Sequence, residues 1–292
     1  MKTICLTNGK GGVGKTTGSV NIATGMPYVL PTKEGGTPRV LLIDAEQQCD
    51  CTRRFITNYG EGDEGEFCKK NGIHTIMDLY MGRAKIEECI IRFKTFDFIP
   101  GSMYFSADQL SDASTDLEIL RKALQSVSDR YDLCIIDSPH TRGFIQNSIL
   151  LACDYVFPCT DANKFSLEGV AAICSDIQSL VNTYGVKISV PFILVIRASS
   201  KERQAEITER LIQLIGPHPR DGKRPRFAPL FVQNDDDYIT ECFDRRRSIY
   251  VNWRKHIAQD FAYICRYIAK HELGIVVPEE DLPLPFGLHM NV

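Results

Sequence analysis

A chain of 292 residues, 43% hydrophobic and 24% charged, is long enough to bury a substantial core and has the make-up of a soluble globular protein. Its formal net charge of −3 excludes a generally basic nucleic-acid coat but leaves room for local basic patches. No apolar run approaches the roughly 18 residues of a membrane span, and Met1-Lys2 leads straight into an apolar strand without a leader pattern.

Thr3-Ile4-Cys5-Leu6-Thr7 reads as a buried strand, and Thr17 to Met26 as the first turns of a helix. Between them lies Gly9-Lys10-Gly11-Gly12-Val13-Gly14-Lys15-Thr16. Strand, glycine loop and helix together are the context of a phosphate-binding loop. The glycines let backbone N–H groups turn inward around a phosphate, and the helix N-terminus adds partial positive charge. Gly11, Gly12, Val13, Gly14, Lys15, Thr16 and Thr17 are therefore candidate nucleotide contacts. Lys15 reaches the β- and γ-phosphates in such a loop, and the Thr16 hydroxyl can ligate Mg²⁺. Lys10 has no role in an ordinary loop of this kind.

Pro27 to Pro38, with Pro31 and Gly35-Gly36, reads as a loop. Arg39 to Asp44 is an apolar run ending in a carboxylate, as in a buried parallel strand with Asp44 at its functional end. Tyr59 to Gly65 reads as a mobile loop. Gly72 to Gly82 has helical spacing, Ile86 to Ile91 continues in the same manner, and Phe96 to Ser102 reads as a strand and turn. Leu117 to Val127 is an amphipathic helix candidate. Tyr131 to Pro139 is a second strand with an acid at its end, the Walker B arrangement, and Asp137 can hold Mg²⁺ through a water. His140 follows directly and reads as a surface histidine or as part of a switch loop.

Asp154 to Thr160 is the next strand, and Phe165 to Gly169 leads into a long helix through Ile173, Ile177 and Leu180. Phe192 to Ile196 is a strand, Lys201 to Ile215 a helix, and Phe227 to Val232 the last strand. His218 to Arg226 is a basic loop. Further positive charge follows at Arg245-Arg246-Arg247 and Arg254-Lys255, before a helix from Ile257 to Ala269. Such runs read as a solvated face or as a DNA contact. Strands alternating with helices predict an α/β fold: a doubly wound, mostly parallel sheet flanked by helices, with ligands at the strands' carboxyl ends. Residues 1–275 are expected to form a single domain with small insertions near 27–38 and 216–226, and residues 276–292 a C-terminal tail. Of the eleven cysteines, Cys5, Cys134, Cys153 and Cys174 sit in apolar surroundings. Cys49-Asp50-Cys51 is a close pair without the Cys-x-x-Cys spacing, and a metal site there lacks a second ligand pair. This usage suits a reducing cytoplasm.

Lys10-Gly11-Gly12-Val13-Gly14-Lys15-Thr16-Thr17 resembles the deviant Walker A loop of the ParA/MinD superfamily of P-loop NTPases. Asp44 and Gln48 match the family's Asp-x-Asp-Pro-Gln motif, with Glu46 in place of the second aspartate and Gln47 in place of proline. His140 stands where the family often has a second proline. Ile99 to Ser102 and Phe165 to Gly169 also look like the family, and the resemblance covers roughly Met1 to Ala269.

Within the superfamily the chain looks like a ParA/Soj ATPase. The resemblance implies ATP and Mg²⁺ as cofactors, the metal shell drawing on Thr16, Asp44 and Asp137. It implies a homodimer that sandwiches two nucleotides, with Lys10 crossing to the partner's phosphates. Lys10 and Lys15 would neutralise charge during hydrolysis while Asp44 orients water. It further implies non-specific DNA binding through Arg245, Arg246, Arg247, Arg254 and Lys255. A ParB-like adaptor would stimulate a slow ATPase that partitions or positions DNA or another cargo. The expected location is cytoplasmic, on the nucleoid when ATP is bound, with no membrane partner. A MinD-like membrane-cycling ATPase is the alternative; it shares the loop but needs a basic amphipathic tail. An iron–sulfur carrier would need a cysteine within residues 137–143 or a Cys-x-x-Cys pair, and the chain has neither.

Overall fold

Strands buried on both faces of a sheet read as near-continuous apolar runs, and the described residues are organised around eight strands, most of them of this kind. The computed structural model describes residues 1–30, 37–56, 68, 70–106, 108, 110, 116–161, 163–198, 200–217, 219, 226–245 and 247–275. The strands are β1 (Lys2–Thr7), β2 (Val40–Asp44), β3 (Ile91–Arg92), β4 (Asp97–Ile99), β5 (Leu133–Asp137), β6 (Tyr155–Thr160), β7 (Phe192–Ile196) and β8 (Ala228–Val232). They lie in the order β3-β4-β2-β5-β1-β6-β7-β8, all parallel except β3, which runs antiparallel to β4. This is the doubly wound, mostly parallel sheet that the alternation of elements predicts.

From β1 the chain moves outward to β2 and on to the edge at β3, returns through β4 and β5, and then continues on the far side through β6, β7 and β8. The reversal falls at β1 and β5, where doubly wound sheets open a ligand crevice at their carboxyl ends. Strand register makes Asp44 and Asp137 neighbours, since they are direct partners across β2 and β5. Two carboxylates are thus set side by side by sheet geometry alone.

The helices are α1 (Lys15–Val29), α2 (Asp50–Phe55), α3 (Ile76–Tyr80), α4 (Ile86–Cys89), α5 (Ile119–Ser126), α6 (Phe144–Ala152), α7 (Lys164–Tyr184), α8 (Lys201–Ile215), α9 (Asp236–Asp244) and α10 (His256–His271). Side chains alternate across the sheet. Ile4 and Leu6 face a core shared with α1 and α10, while Cys5 faces the opposite core with α5 and α6. A third cluster packs α7 and α8 on β7. The short 3-10 turn before α10, Ile249–Val251, is tied to α1: the Tyr250 hydroxyl donates to the Asn21 carbonyl at 2.8 Å. Among the described residues, no helix is long and apolar enough to cross a membrane.

Four sequence expectations need correction. Pro27 does not open a loop: α1 continues through it to Val29. A proline this close to the helix end removes one backbone donor, and burial of Met26, Pro27 and Val29 holds the last turn. Ile91 leaves the helical run to pair with Phe98 in β3. Helices α6 and α9 are not among the expected elements, although each carries a signal. For α6 the signal is the spacing of Ile145 and Ile149; for α9 it is an Asp235 cap that accepts from the Tyr238 N–H. The ends of the 216–226 segment meet through an Arg226 N–H to Gly216 carbonyl bond of 2.8 Å. The Tyr59–Gly65 loop, Arg246, most of the basic loop and the 276–292 tail lie outside the described residues.

Candidate functional site

The glycine loop connects β1 to α1 directly above the β5 strand end. Gly12 and Gly14 take left-handed backbone angles, φ 74° and 85°, which glycine adopts without steric cost. Gly14 has a second constraint, because a Cβ there would run into Ile196 at the end of β7. Val13 is buried, whereas Gly11 and Gly12 are exposed, so the loop's backbone faces outward over the strand ends. Asn8 anchors its start. Its Nδ2 donates to the carbonyls of Cys159 (2.6 Å) and Ser166 (2.8 Å), and its Oδ1 accepts from the Lys10 N–H at 3.0 Å. Arg197, itself left-handed at φ 61°, donates to the Gly12 carbonyl at 3.1 Å and pairs with Asp236 at 3.0 Å. Neither Asn8 nor Arg197 carries a motif that sequence reading would pick out.

Thr16 and Thr17 form the first turn of α1. The Thr16 hydroxyl donates to Asp137 Oδ2 at 2.7 Å, Ser19 donates to Oδ1 at 3.2 Å, and the Cys51 thiol donates to Oδ2 at 3.4 Å. Asp44, equally enclosed, accepts on Oδ2 from the Thr52 N–H (2.9 Å) and hydroxyl (2.7 Å), and on Oδ1 from the Glu46 N–H (3.1 Å). Cys49 makes this possible: its left-handed φ of 56° turns the chain so that α2 points Cys51 and Thr52 back at the strand ends. Gly101 closes the back of the cluster, donating to Thr52 Oγ1 at 2.8 Å, where a Cβ would come within 3.0 Å of the Asp44 carboxyl carbon. Burial pushes both carboxyls above the ordinary range. The Asp137 charge raises Asp44 further, while Thr16 and Lys15 pull Asp137 part of the way back.

Sequence reading assigns the water-orienting carboxylate to Asp44, but the carboxylate ion-paired with Lys15 is Glu46. Lys15 Nζ lies 3.9 Å from Glu46 Oε2 and 3.4 Å from the Lys10 carbonyl, and both the Lys15 and Glu46 side chains are 6% exposed. Asp44 stands one layer behind, with its oxygens turned to Thr52 and to the Glu46 backbone. Glu46 also accepts from the His140 N–H and approaches the His140 ring. Lys10 is different in character. Its side chain is 34% exposed and its Nζ pairs with Asp161 at 3.6 Å.

A hard cation such as Mg²⁺ prefers oxygen ligands and retains several waters. Thr16 Oγ1 and Asp137, in contact and beside the loop, fit that requirement. The atoms of Asp44, Cys51 and Asp137 lie within 4.8 Å of one another, but burial and the two carboxylates hold the Cys51 thiol well above its usual pKa. A protonated soft sulfur suits Mg²⁺ poorly. Cys49, whose thiol approaches the Gln47 carbonyl at 3.6 Å, does not join this group.

The expected DNA-contact residues lie apart from this cluster. Arg245 pairs with Glu241 at 3.1 Å, and Lys255 pairs with Asp235 at 2.9 Å and sits over the Tyr238 ring. Arg247 and Arg254 are exposed.

Residues 1–190 match the family model described as an AAA domain. The chain is 31% identical over 196 residues to the virulence plasmid ParA family protein pGP5-D of Chlamydia psittaci, covering 65% of this chain and 69% of that protein. It is 29% identical over 181 residues to the sporulation initiation inhibitor protein Soj of Bacillus subtilis (strain 168), covering 61% of this chain and 65% of Soj. In three dimensions it is similar to the ATP complex of a Cyanothece McdA variant, with a TM-score of 0.72 at 18% identity over 95% of this chain and 98% of that one. At that identity the likeness concerns the fold.

Proposed function

The chain belongs to the ParA/Soj family of deviant Walker A ATPases, and from that premise we propose that it binds ATP with Mg²⁺, dimerises around two nucleotides and hydrolyses them slowly. The observation that carries the reading is the Thr16–Asp137 bond of 2.7 Å beneath an intact glycine loop. Phosphoryl transfer to water needs positioning and charge stabilisation more than covalent chemistry. The loop N–H groups and the α1 N-terminus receive the phosphates. Lys15 leaves Glu46 for the β- and γ-phosphates. Thr16 and Asp137 would hold the metal, and Mg²⁺ bound there would supply charge neutralisation for the transferring phosphoryl group. Glu46 orients the attacking water, and Asp44 sets the position of Glu46 through its backbone N–H.

Lys10 gives up Asp161 and crosses to the partner's phosphates when two chains meet. The dimer then binds DNA without sequence preference through Arg247, Arg254 and their neighbours, since doubling the contacts on one body raises effective concentration. An adaptor protein accelerates hydrolysis and resets the cycle, which partitions or positions a cargo. The relatives named for ParA and Soj, and the McdA variant in complex with ATP, support this reading.

Light scattering with ATP and Mg²⁺ tests it. The parent should double in mass, whereas Lys10→Ala should bind one nucleotide per chain and remain a monomer. A Lys10→Ala dimer of parental affinity would remove the cross-subunit role, and a parent that neither binds nor hydrolyses ATP would remove the whole reading.

A further inference from the structure

Two departures from the family's usual motifs meet in space. Glu46 stands where the family has a second aspartate, and His140 where it often has a proline, 94 residues later in the chain. The Glu46 Oε2 accepts from the His140 backbone N–H at 3.0 Å, and the ring Nδ1 lies 3.0 Å from Oε2 and 3.2 Å from Oε1. On its other side the same carboxylate faces Lys15 at 3.9 Å. The Glu46 side chain is almost fully enclosed, whereas that of His140 is 37% exposed. A histidine on a merely solvated face has no reason to present both its backbone and its ring to one buried carboxylate.

We propose that His140 is a positioning residue for the reaction, holding the Glu46 carboxylate beside Lys15 through its Nδ1–H and its backbone N–H. The proposal rests on the ATPase reading above and concerns the same site. A glutamate carries one more rotatable bond than an aspartate, so it needs an additional constraint to present its carboxylate in one place. An enclosed carboxylate also needs hydrogen-bond donors to offset its lost hydration. Before nucleotide binds, Lys15 and His140 share that task. Once Lys15 turns to the phosphates, the two His140 bonds remain and keep the carboxylate aimed at the position of the attacking water. Bonds to an ionised acceptor are the stronger kind. A carboxylate oxygen only accepts, so the bond requires the proton on Nδ1.

The experiment uses the full chain with ATP and Mg²⁺, reading kcat from phosphate release and ATP affinity from calorimetry. His140→Ala should lower kcat about 10- to 100-fold, the scale of a small misplacement of a reacting group, with ATP affinity unchanged. His140→Asn, whose amide N–H stands where Nδ1–H does, should recover most of that loss. His140→Gln, whose amide reaches the Nε2 position, should not. A merely structural role would not separate Asn from Gln, and that contrast decides the matter even where the alanine variant folds poorly. Equal rates for Asn and Gln, or a folded alanine variant that turns over like the parent, would overturn the proposal while leaving the ATPase reading intact. A parent that does not hydrolyse ATP would overturn both.

Discussion

The carboxyl edge of the sheet and the segment from α9 to the start of α10 both hold clustered charge, yet they hold it differently. At the sheet edge, Asp137 takes bonds from Thr16, Ser19 and Cys51, three residues drawn from α1 and α2. In the second region Arg245 answers to Glu241 on its own helix, and Lys255 to Asp235. Burial explains the contrast. An enclosed charge without partners costs several kcal/mol, so the fold must bring partners to it. A surface ion pair is worth about 0–1 kcal/mol, so it places little demand on the rest of the chain. Geometry therefore speaks strongly about the first region, while the second must be judged by its response to salt.

The sharpest way to break the comparison is at Lys15. Lys15→Ala removes the cation facing the phosphates and leaves Glu46 without its ion pair. ATP affinity measured by calorimetry should fall on the order of 100-fold, the scale of truncating one member of a buried charge pair. Parental affinity in a folded variant would take the nucleotide site out of the account.

A middle-sized effect is expected with pH. Asp44 and Asp137 have carboxyl pKa values raised in the folded state, first by burial. Between the ordinary carboxylate value near 3.8 and the raised values, the folded protein binds more protons than the unfolded chain. Their contribution to stability is complete below the ordinary value and is lost as pH climbs through the raised ones. Without nucleotide and metal, the melting temperature of the parent should therefore fall more steeply from acid to neutral pH than that of Asp44→Asn, whatever the variant's absolute stability. Matching slopes for the two proteins would show that Asp44 carries no extra proton.

The smallest effect belongs to the surface. Replacing Arg247 and Arg254 by alanine should reduce the slope of log DNA affinity against log salt by about 0.9 for each phosphate no longer neutralised, with ATP binding intact. Arg245→Ala should change it less, because Glu241 already neutralises that charge. An unchanged slope in the Arg247/Arg254 double variant would make this region a solvated face and leave its likeness to the sheet edge superficial.

What could be read from the sequence divides along the same line. The strands of the sheet's interior were legible because burial on both faces demands unbroken apolar runs, as in Val40–Asp44, Leu133–Asp137 and Phe192–Ile196. The glycine loop was legible because its backbone angles restrict the residue types that fit. The carboxylate beside Lys15 was not. Asp44 and Glu46 are two residues apart, and only the turn after β2, with Cys49 and Thr52 folding back on Asp44, decides which of them faces the lysine. Asn8, Arg197 and the Glu46–His140 contact depend on partners far along the chain, and no local pattern announces them.

The position of β1 between β5 and β6 has a consequence for how the protein comes to be made. The loop and its acid Asp137 are separated by 121 residues, and Tyr250 reaches back 229 residues to brace α1. While the ribosome is still translating the intervening segments, the nascent loop has neither the acid beneath it nor the helix behind it. The first strand meanwhile waits with both edges unpaired, a state open to wrong pairing and to chaperones. Folding dominated by such distant pairings is slow. A chain whose synthesis stalls before Tyr250 would therefore carry the whole loop motif without this brace on α1.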